Sequence, residues 1–331
     1  MVVHVHALLR RTQLTGLRPV SSNVRRYQPE ACCRCADPRR GVLCRWLARY
    51  RALAAGNRCA PRATYPAVAA SQVVPDLPSH PVPPGWAESW QRSWDQLEDD
   101  LVSDRELRLR VLLDVVEAMV GTSPTVLDLA CGPGTITLRL LDRLPRARSI
   151  AVDVDPVLLA IASATFADDD RVRIVRADLN NTAWADGLPE VQLDAVLTAT
   201  ALHWLTEDTV RRLYGDLAGL VRRDGVLAHT EKMPLAEFPR LGSALAEIEQ
   251  RRQIGTDGRE ARWDAWWEQA SRDPALQPAM TQRHLVFETG YPTEEFSPPA
   301  DWHIAALRDA GFTEVGVLWR SGAGAVVAAV R

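Results

Sequence analysis

Between residues 125 and 230 the chain alternates short apolar runs with stretches of helical periodicity, and this rhythm limits the possible folds more than any other feature. The runs are Thr125 to Ala130, Ser149 to Val154, Val172 to Ala177, Leu193 to Thr200 and Gly225 to Thr230. Each is near-continuously apolar, as strands covered on both faces are. Helices between strands imply parallel pairing, because a parallel return needs a crossover long enough to hold a helix. The expectation is an α/β fold with a doubly wound sheet, whose ligands bind beyond the carboxyl ends of its strands. Local signals support the helices. Asp155-Pro156 offers an N-cap and a first-turn proline for a helix to about Phe166. Thr206-Glu207-Asp208 opens another, with a stripe of Val210, Leu213, Leu217, Leu220 and Val221, expected to end at Asp224-Gly225.

Composition matters mainly at the chain's beginning. The net charge of -3 hides an asymmetry: residues 1–83 hold 13 arginines against 3 acidic residues, whereas residues 84–331 hold 26 basic against 39 acidic. Residues 1–83 also hold Cys32, Cys33, Cys35, Cys44 and Cys59 and the proline-rich VVPDLPSHPVPP, without a sustained period. We expect a poorly ordered extension there. Three other readings stay open. A zinc site from Cys32, Cys35 and Cys44 lacks the paired spacing of known modules. An organelle targeting segment, or sequence upstream of a misplaced start, fits the arginine-rich composition. Nucleic-acid contact is permitted by charge but supported by no motif. No apolar run reaches the roughly 18 residues of a membrane span, so no membrane partner and a cytoplasmic location are expected.

The expected domain is residues 84–331. It opens with Trp86, Trp90 and Trp94 on one helical face, then a helix with Leu112, Val115, Val116 and Met119 at helical spacing. In a segment expected to be inserted after the fifth strand, residues 232–298, Trp263, Trp266 and Trp267 share a helical face. They could roof an acceptor, although packing against the sheet is the simpler expectation.

The stretch VLDLACGPGT, residues 126–135, carries the chemistry. It ends the first strand and breaks into Gly132-Pro133-Gly134, where bare backbone can approach a ligand. Asp128 inside the strand needs donors, which loop amides or a ligand's charged amine can supply. The dinucleotide pattern G-x-G-x-x-G fails, because Thr137 stands where its third glycine should be, and the Gly-Lys-Ser/Thr of a P-loop is missing.

This stretch resembles the first motif of class I S-adenosylmethionine-dependent methyltransferases, with Ala130 in place of a glycine. The later strands agree with the resemblance in order and spacing. It implies that Asp128, Ala130, Cys131, Gly132 and Gly134 line the cofactor loop, and that Asp153 holds the ribose hydroxyls with Val154 on the adenine face. Asp178 would accept from the adenine amino group, and Leu179 would cover the ring. Thr200 begins Thr200-Ala201-Leu202-His203-Trp204, which is similar to the A-L-H-W segment of small-molecule members such as the trans-aconitate methyltransferase group. The family fold is a mostly parallel seven-stranded sheet with a C-terminal antiparallel hairpin, here expected around Gly322-Ala323-Gly324.

The resemblance implies S-adenosylmethionine as cofactor and in-line methyl transfer to oxygen or nitrogen of a small molecule. His203 is the candidate base and Glu231 a second candidate for acceptor contact. His229, His284 and His303 lack metal-ligand spacing, so no metal is expected. The acidic balance of residues 84–331 disfavours a nucleic-acid substrate. An inactive cofactor-binding sensor or scaffold remains the alternative, and oligomeric state is not readable.

Overall fold

A computed structural model of the chain describes residues 82–189, 192–253, 258–288 and 295–331. The expectations for residues 1–81 lie outside the described residues. Helices α1 (Trp86–Leu101) and α2 (Arg105–Val120) precede β1 (Thr125–Leu129). The chain continues through α3 (Thr135–Arg143), β2 (Arg148–Asp153), α4 (Pro156–Thr165), β3 (Val172–Arg176), β4 (Leu193–Ala199), α5 (Glu207–Leu220) and β5 (Val221–Lys232). Three helices form the insertion, α6 (Pro239–Gln253), α7 (Gly258–Arg272) and α8 (Gln277–Glu288), followed by α9 (Ala300–Asp309), β6 (Glu314–Ser321) and β7 (Gly324–Val330).

All seven strands join one sheet in the order β3-β2-β1-β4-β5-β7-β6. The pairs among β1 to β5 are parallel, and β7 runs antiparallel to both β5 and β6. This is the doubly wound sheet with an antiparallel hairpin that the sequence predicts. The strand order reverses direction between β1 and β4, which makes the crevice at their carboxyl ends the natural ligand position.

The two faces are covered differently. Leu127, Leu129, Val196, Leu227 and Val327 pack against α5 and α9 residues such as Leu213 and Leu307. On the other face Val126, Ala195, Leu197, Ala228 and Val326 meet Leu112 and Val116 of α2 and Leu140 of α3. The period-2 alternation explains both sets. A third cluster joins α1, α4, α7 and α8: Trp90 and Trp94 lie edge-on to Trp266 at 5.3 and 5.0 Å between centroids. Trp86 and Trp90 donate through Nε1 to Asp273 Oδ2 at 2.8 and 2.9 Å. The α7 indoles thus pack against the α1 indoles and not against the sheet. Val82 also packs on this cluster.

Boundaries differ in instructive ways. β5 begins at Val221, because Val221 pairs with Leu193 and the Arg222 guanidinium donates to Asp194 at 2.6 Å. Asp224-Gly225 is therefore a kink within the strand, with Asp224 left-handed at φ 60°, and α5 stops earlier at Leu220. Ala130 and Thr200, expected to close β1 and β4, instead leave the sheet at φ 55° and 52°. Met119, expected on the buried stripe of α2, is 47% exposed.

Two glycine substitutions test this packing in opposite directions. At Gly134, φ is 93° and an added Cβ would lie 2.5 Å from the Phe166 ring. Gly134→Ala is expected to destabilise by about 1–3 kcal/mol. Gly215, inside α5, has open space around it, so Gly215→Ala should stabilise by up to about 1 kcal/mol. Urea unfolding midpoints at unchanged slope measure both, and equal midpoints for the two variants would contradict the loop geometry.

Candidate functional site

The loop after β1 is built around a buried acid. The Asp128 carboxylate is fully buried, and its Oδ2 accepts from the Thr137 amide at 3.0 Å and the Thr137 hydroxyl at 2.7 Å. Ser149 Oγ lies 2.7 Å from the same hydroxyl, which leaves Ser149 as the donor in that pair. No side chain caps α3 at Gly134; Asp128 satisfies one early amide of that helix from inside the sheet. Its Oδ1 is buried without a protein donor. Burial pushes this carboxyl up to about 7 against the pull of the Thr137 bonds.

The turn itself needs left-handed backbone. Gly132 and Gly134 have φ of 56° and 93°. Ala130 takes the same region without being glycine, a strained conformation that explains why a glycine is the usual choice there. Cys131 is buried and its thiol is pushed well up by that burial, so it is an inert packing residue. Gln91 of α1 donates to the Pro133 carbonyl. The Trp94 indole lies 3.9 Å from where a Cβ on Gly132 would be. Helix α1 therefore rests on the loop.

Asp153 closes β2. Its Oδ2 accepts from the Gly132 amide at 2.8 Å, and its Oδ1 from the Val154 and Asp155 amides at 2.7 and 2.8 Å. Burial pushes its carboxyl up to about 6, opposed by these amides. Asp155 caps α4 by accepting from Val157 at 2.9 Å, as expected from sequence. It also holds the Arg283 guanidinium at 2.7 Å, which lies 3.6 Å from the centre of the Trp267 ring. This link ties α8 and α7 to the start of α4. On the next strand, the Ala177 amide donates to the Asp153 carbonyl at 2.9 Å. Asp178 accepts from the Asn180 amide and side chain at 2.9 and 3.0 Å, and Leu179 is buried in the core.

Beyond β4, Thr200 is left-handed although β-branched, and its amide donates to the Thr230 carbonyl at 2.9 Å. Strained residues of this kind concentrate at functional sites. The following turn, Leu202–Trp204, brings His203 onto Glu231, with Nδ1 2.9 Å from Oε2. Glu231 Oε1 accepts from the Ala201 and Leu202 amides, both at 2.8 Å. Burial raises the Glu231 carboxyl, but His203 and the two amides outweigh it and hold the group below its usual range. Burial likewise lowers the His203 ring, but Glu231, with Glu295 and Glu98, outweighs it and raises the ring's pKa. Glu231, expected as a contact for the acceptor, is instead buried behind His203 and orients it. Because the carboxylate accepts, Nδ1 carries the hydrogen and Nε2 holds the lone pair of the neutral ring.

Behind this pair sits a cluster that the sequence reading sets aside. The Tyr214 hydroxyl lies 2.7 Å from His303 Nδ1 and 3.3 Å from His229 Nε2. Burial lowers His229 well below its usual value and His303 to about 4, so both rings are neutral near pH 7. The signal for it was available: His229 and Glu231 are two apart on one strand and share a face. Among the described residues, no group of three or more His, Cys, Asp or Glu side chains is placed to hold a metal ion. Nor is any helix among them long and apolar enough to cross a membrane.

The structure thus links the loops after β1, β2 and β3 through Asp153, and sets Thr200 and His203 on the other side of β1. An unpartnered buried carboxylate oxygen, a loop of bare backbone and an acid at the end of β2 fit a ligand carrying both a cation and hydroxyls. Residues 126–225 match the family model described as "Methyltransferase domain". The match runs from β1 into β5, the parallel part of the sheet.

The chain is 36% identical over 123 residues to trans-aconitate 2-methyltransferase of Shigella flexneri serotype 5b (strain 8401), covering 37% of this chain and 42% of that protein. Identity to the protein of the same name from Escherichia coli (strain 55989 / EAEC) is 35% over 123 residues, with the same coverage. The chain therefore matches less than half the length of these curated relatives. Human N-acetylserotonin methyltransferase in complex with SAM aligns over 76% of this chain and 60% of that one, with a TM-score of 0.44 and 14% identity.

The His203–Glu231 pair gives a direct test. Removing the carboxylate charge in Glu231→Gln is expected to lower the His203 pKa, because the charge that favours the imidazolium is gone. A pKa raised on folding contributes stability that is full below the unfolded value and is lost as pH rises through the folded one. The variant should lack this His203 contribution. Histidine ring NMR titration reads the shift, and an unmoved His203 resonance would rule out the pairing.

Proposed function

We infer that this domain binds S-adenosylmethionine and transfers its methyl group to oxygen or nitrogen of a small molecule. The observation that carries the reading is one continuous construction: Asp128 beneath the left-handed glycine loop, and the Gly132 amide of that loop on Asp153. In this reading the ligand's ammonium group supplies the donor that Asp128 Oδ1 lacks, over the backbone of Ala130, Cys131, Gly132 and Gly134. Asp153 keeps an accepting position on Oδ2 for a ribose hydroxyl, and Val154, Asp178 and Leu179 border the adenine. Thr200 lines the side facing the acceptor.

When bound, the cofactor supplies a methyl group on a positively charged sulfur, and transfer returns the carbon–sulfur bonding pair to that sulfur. What the chain adds is alignment, exclusion of water and a destination for the acceptor's proton. His203 Nε2 is that destination, with Glu231 holding the ring in the required tautomer. The net charge near -13 over residues 84–331 opposes a nucleic-acid acceptor. The similarity to proteins named trans-aconitate 2-methyltransferase favours a second reading, methyl transfer to trans-aconitate, whose carboxylates need no base.

Calorimetry with S-adenosylhomocysteine tests the cofactor assignment. Asp153→Ala should weaken binding by about 1.5–3 kcal/mol, roughly 10- to 150-fold, the range for hydrogen bonds to a charged group. An unchanged dissociation constant would remove Asp153 from the site. The Asp153 carboxyl is raised to about 6, and binding needs its ionised form. Affinity for the wild type should therefore fall as pH drops through about 6, a dependence that Asp153→Asn should flatten. Labelled-methyl assays against a panel of small molecules read the transfer itself, and cofactor binding without transfer would leave a binding protein.

A further inference from the structure

Helix α8 belongs to the insertion, yet two consecutive residues of it reach the carboxyl ends of β2 and β3. Gln282 Oε1 accepts from the Arg176 guanidinium at 2.8 Å, and Arg176, the last residue of β3, pairs in register with Asp153. Arg283 Nε donates to Asp155 Oδ2 at 2.7 Å, one residue before α4 begins. The Arg283 side chain is 22% exposed and that of Asp155 6%, so water and salt screen this ion pair weakly. The guanidinium carbon lies 3.6 Å from the centre of the Trp267 ring and 4.5 Å from that of Phe287, and these rings hold the cation in place from α7 and α8.

Asp155 is also the residue through which a charge here reaches the acid that ends β2. Its amide donates to Asp153 Oδ1 at 2.8 Å, while its own Oδ1 is taken by the Val157 and Leu158 amides at 2.9 and 3.5 Å. Two carboxylates two residues apart and joined by that hydrogen bond repel each other. After burial, and against the pull of its amides, the Asp155 charge helps to push the Asp153 carboxyl up to about 6. A cation bonded to Asp155 opposes that repulsion. The other groups around Asp153 come from three elements. Asp128 on β1 is coupled to it, the Cys131 thiol of the glycine loop is pushed well up by burial and carries no charge, and beside β2 stand Arg176, shared with Gln282, and Asp178, held by Asn180.

We propose that Arg283 is a positioning residue of the cofactor site: by neutralising Asp155 it keeps the Asp153 carboxylate ionised for the ribose, so that the insertion serves cofactor binding. This rests on the reading of Asp153 as the acid that meets the ribose. A purely structural latch between α8 and α4 would weaken binding at every pH when broken. A charge acting through Asp155 matters only where Asp153 titrates.

Two measurements on the full chain separate these cases. The carbon-13 resonance of the Asp153 carboxyl is followed against pH without ligand, and S-adenosylhomocysteine affinity is measured by calorimetry at pH 6 and pH 8. In Arg283→Gln the Asp153 midpoint should rise from about 6 to about 7, the lower end of the effect of one nearby charge. The ionised share at pH 6 then falls from about a half to about a tenth, so affinity there should drop about fivefold, while at pH 8 the variant and the unaltered chain should bind alike. Asp155→Asn keeps a capping side chain on α4 but removes the charge. It should move the midpoint below that of the unaltered chain and strengthen binding at pH 6 by up to about twofold, which reads the same effect should Arg283→Gln fail to fold. Asp128, raised to about 7, titrates in all three proteins and drops out of the comparison. An unmoved Asp153 midpoint in either variant, or a loss of affinity in Arg283→Gln as large at pH 8 as at pH 6, would overturn the proposal. Failure of S-adenosylhomocysteine to bind the unaltered chain at both pH values would sink the methyltransferase reading, while the ligand-free titration of Asp153 would still decide whether Arg283 acts on it.

Discussion

A carboxylate buried in the middle of a sheet costs several kcal/mol unless donors reach it. Asp128 is in that position, and the donors that reach it belong to Thr137, in the first turn of α3. Satisfying the acid therefore fixes where α3 begins and how sharply the chain must turn after Leu129. That turn forces left-handed backbone at Ala130, Gly132 and Gly134, and the Gly132 amide then meets Asp153. From this one burial follow the open backbone after β1 and the half-satisfied acid below it. The Phe166 ring beside Gly134 and the Trp94 indole beside Gly132 pack on the same turn from two further elements.

Much of this was legible in the chain because it is written locally. The strands show as apolar runs, the helix starts as Asp155-Pro156 and Thr206-Glu207-Asp208, and the glycine loop as a break in a strand with one acid in it. The errors fall where a local signal was overruled by a partner distant in sequence. Asp224-Gly225 reads as a helix stop, but Arg222 on Asp194 and Val221 on Leu193 draw those residues into β5. The indoles of α7 read as a stripe for the sheet, but Trp266 packs on the α1 indoles Trp90 and Trp94 instead. Glu231 reads as a candidate contact for the acceptor, whereas two amides and a ring from the β4 turn occupy its carboxylate. No spacing within β5 encodes those donors, since they lie about thirty residues earlier and meet Glu231 only through parallel pairing.

The insertion after β5 is tied to the first half of the domain. Its α7 and α8 pack on α4 and on α1, and α1 in turn rests on the loop after β1 through Gln91 and Trp94. Arg283 makes that junction specific by reaching the N-cap of α4 while lying on Trp267.

The three amides on Asp153 have a consequence for the thermodynamics of occupancy. A carboxylate held by Gly132, Val154 and Asp155 has already surrendered its rotational freedom in the empty protein. A sugar arriving there meets a rigid acceptor and need not freeze a mobile one, so the ordering entropy charged to association falls mainly on the incoming molecule.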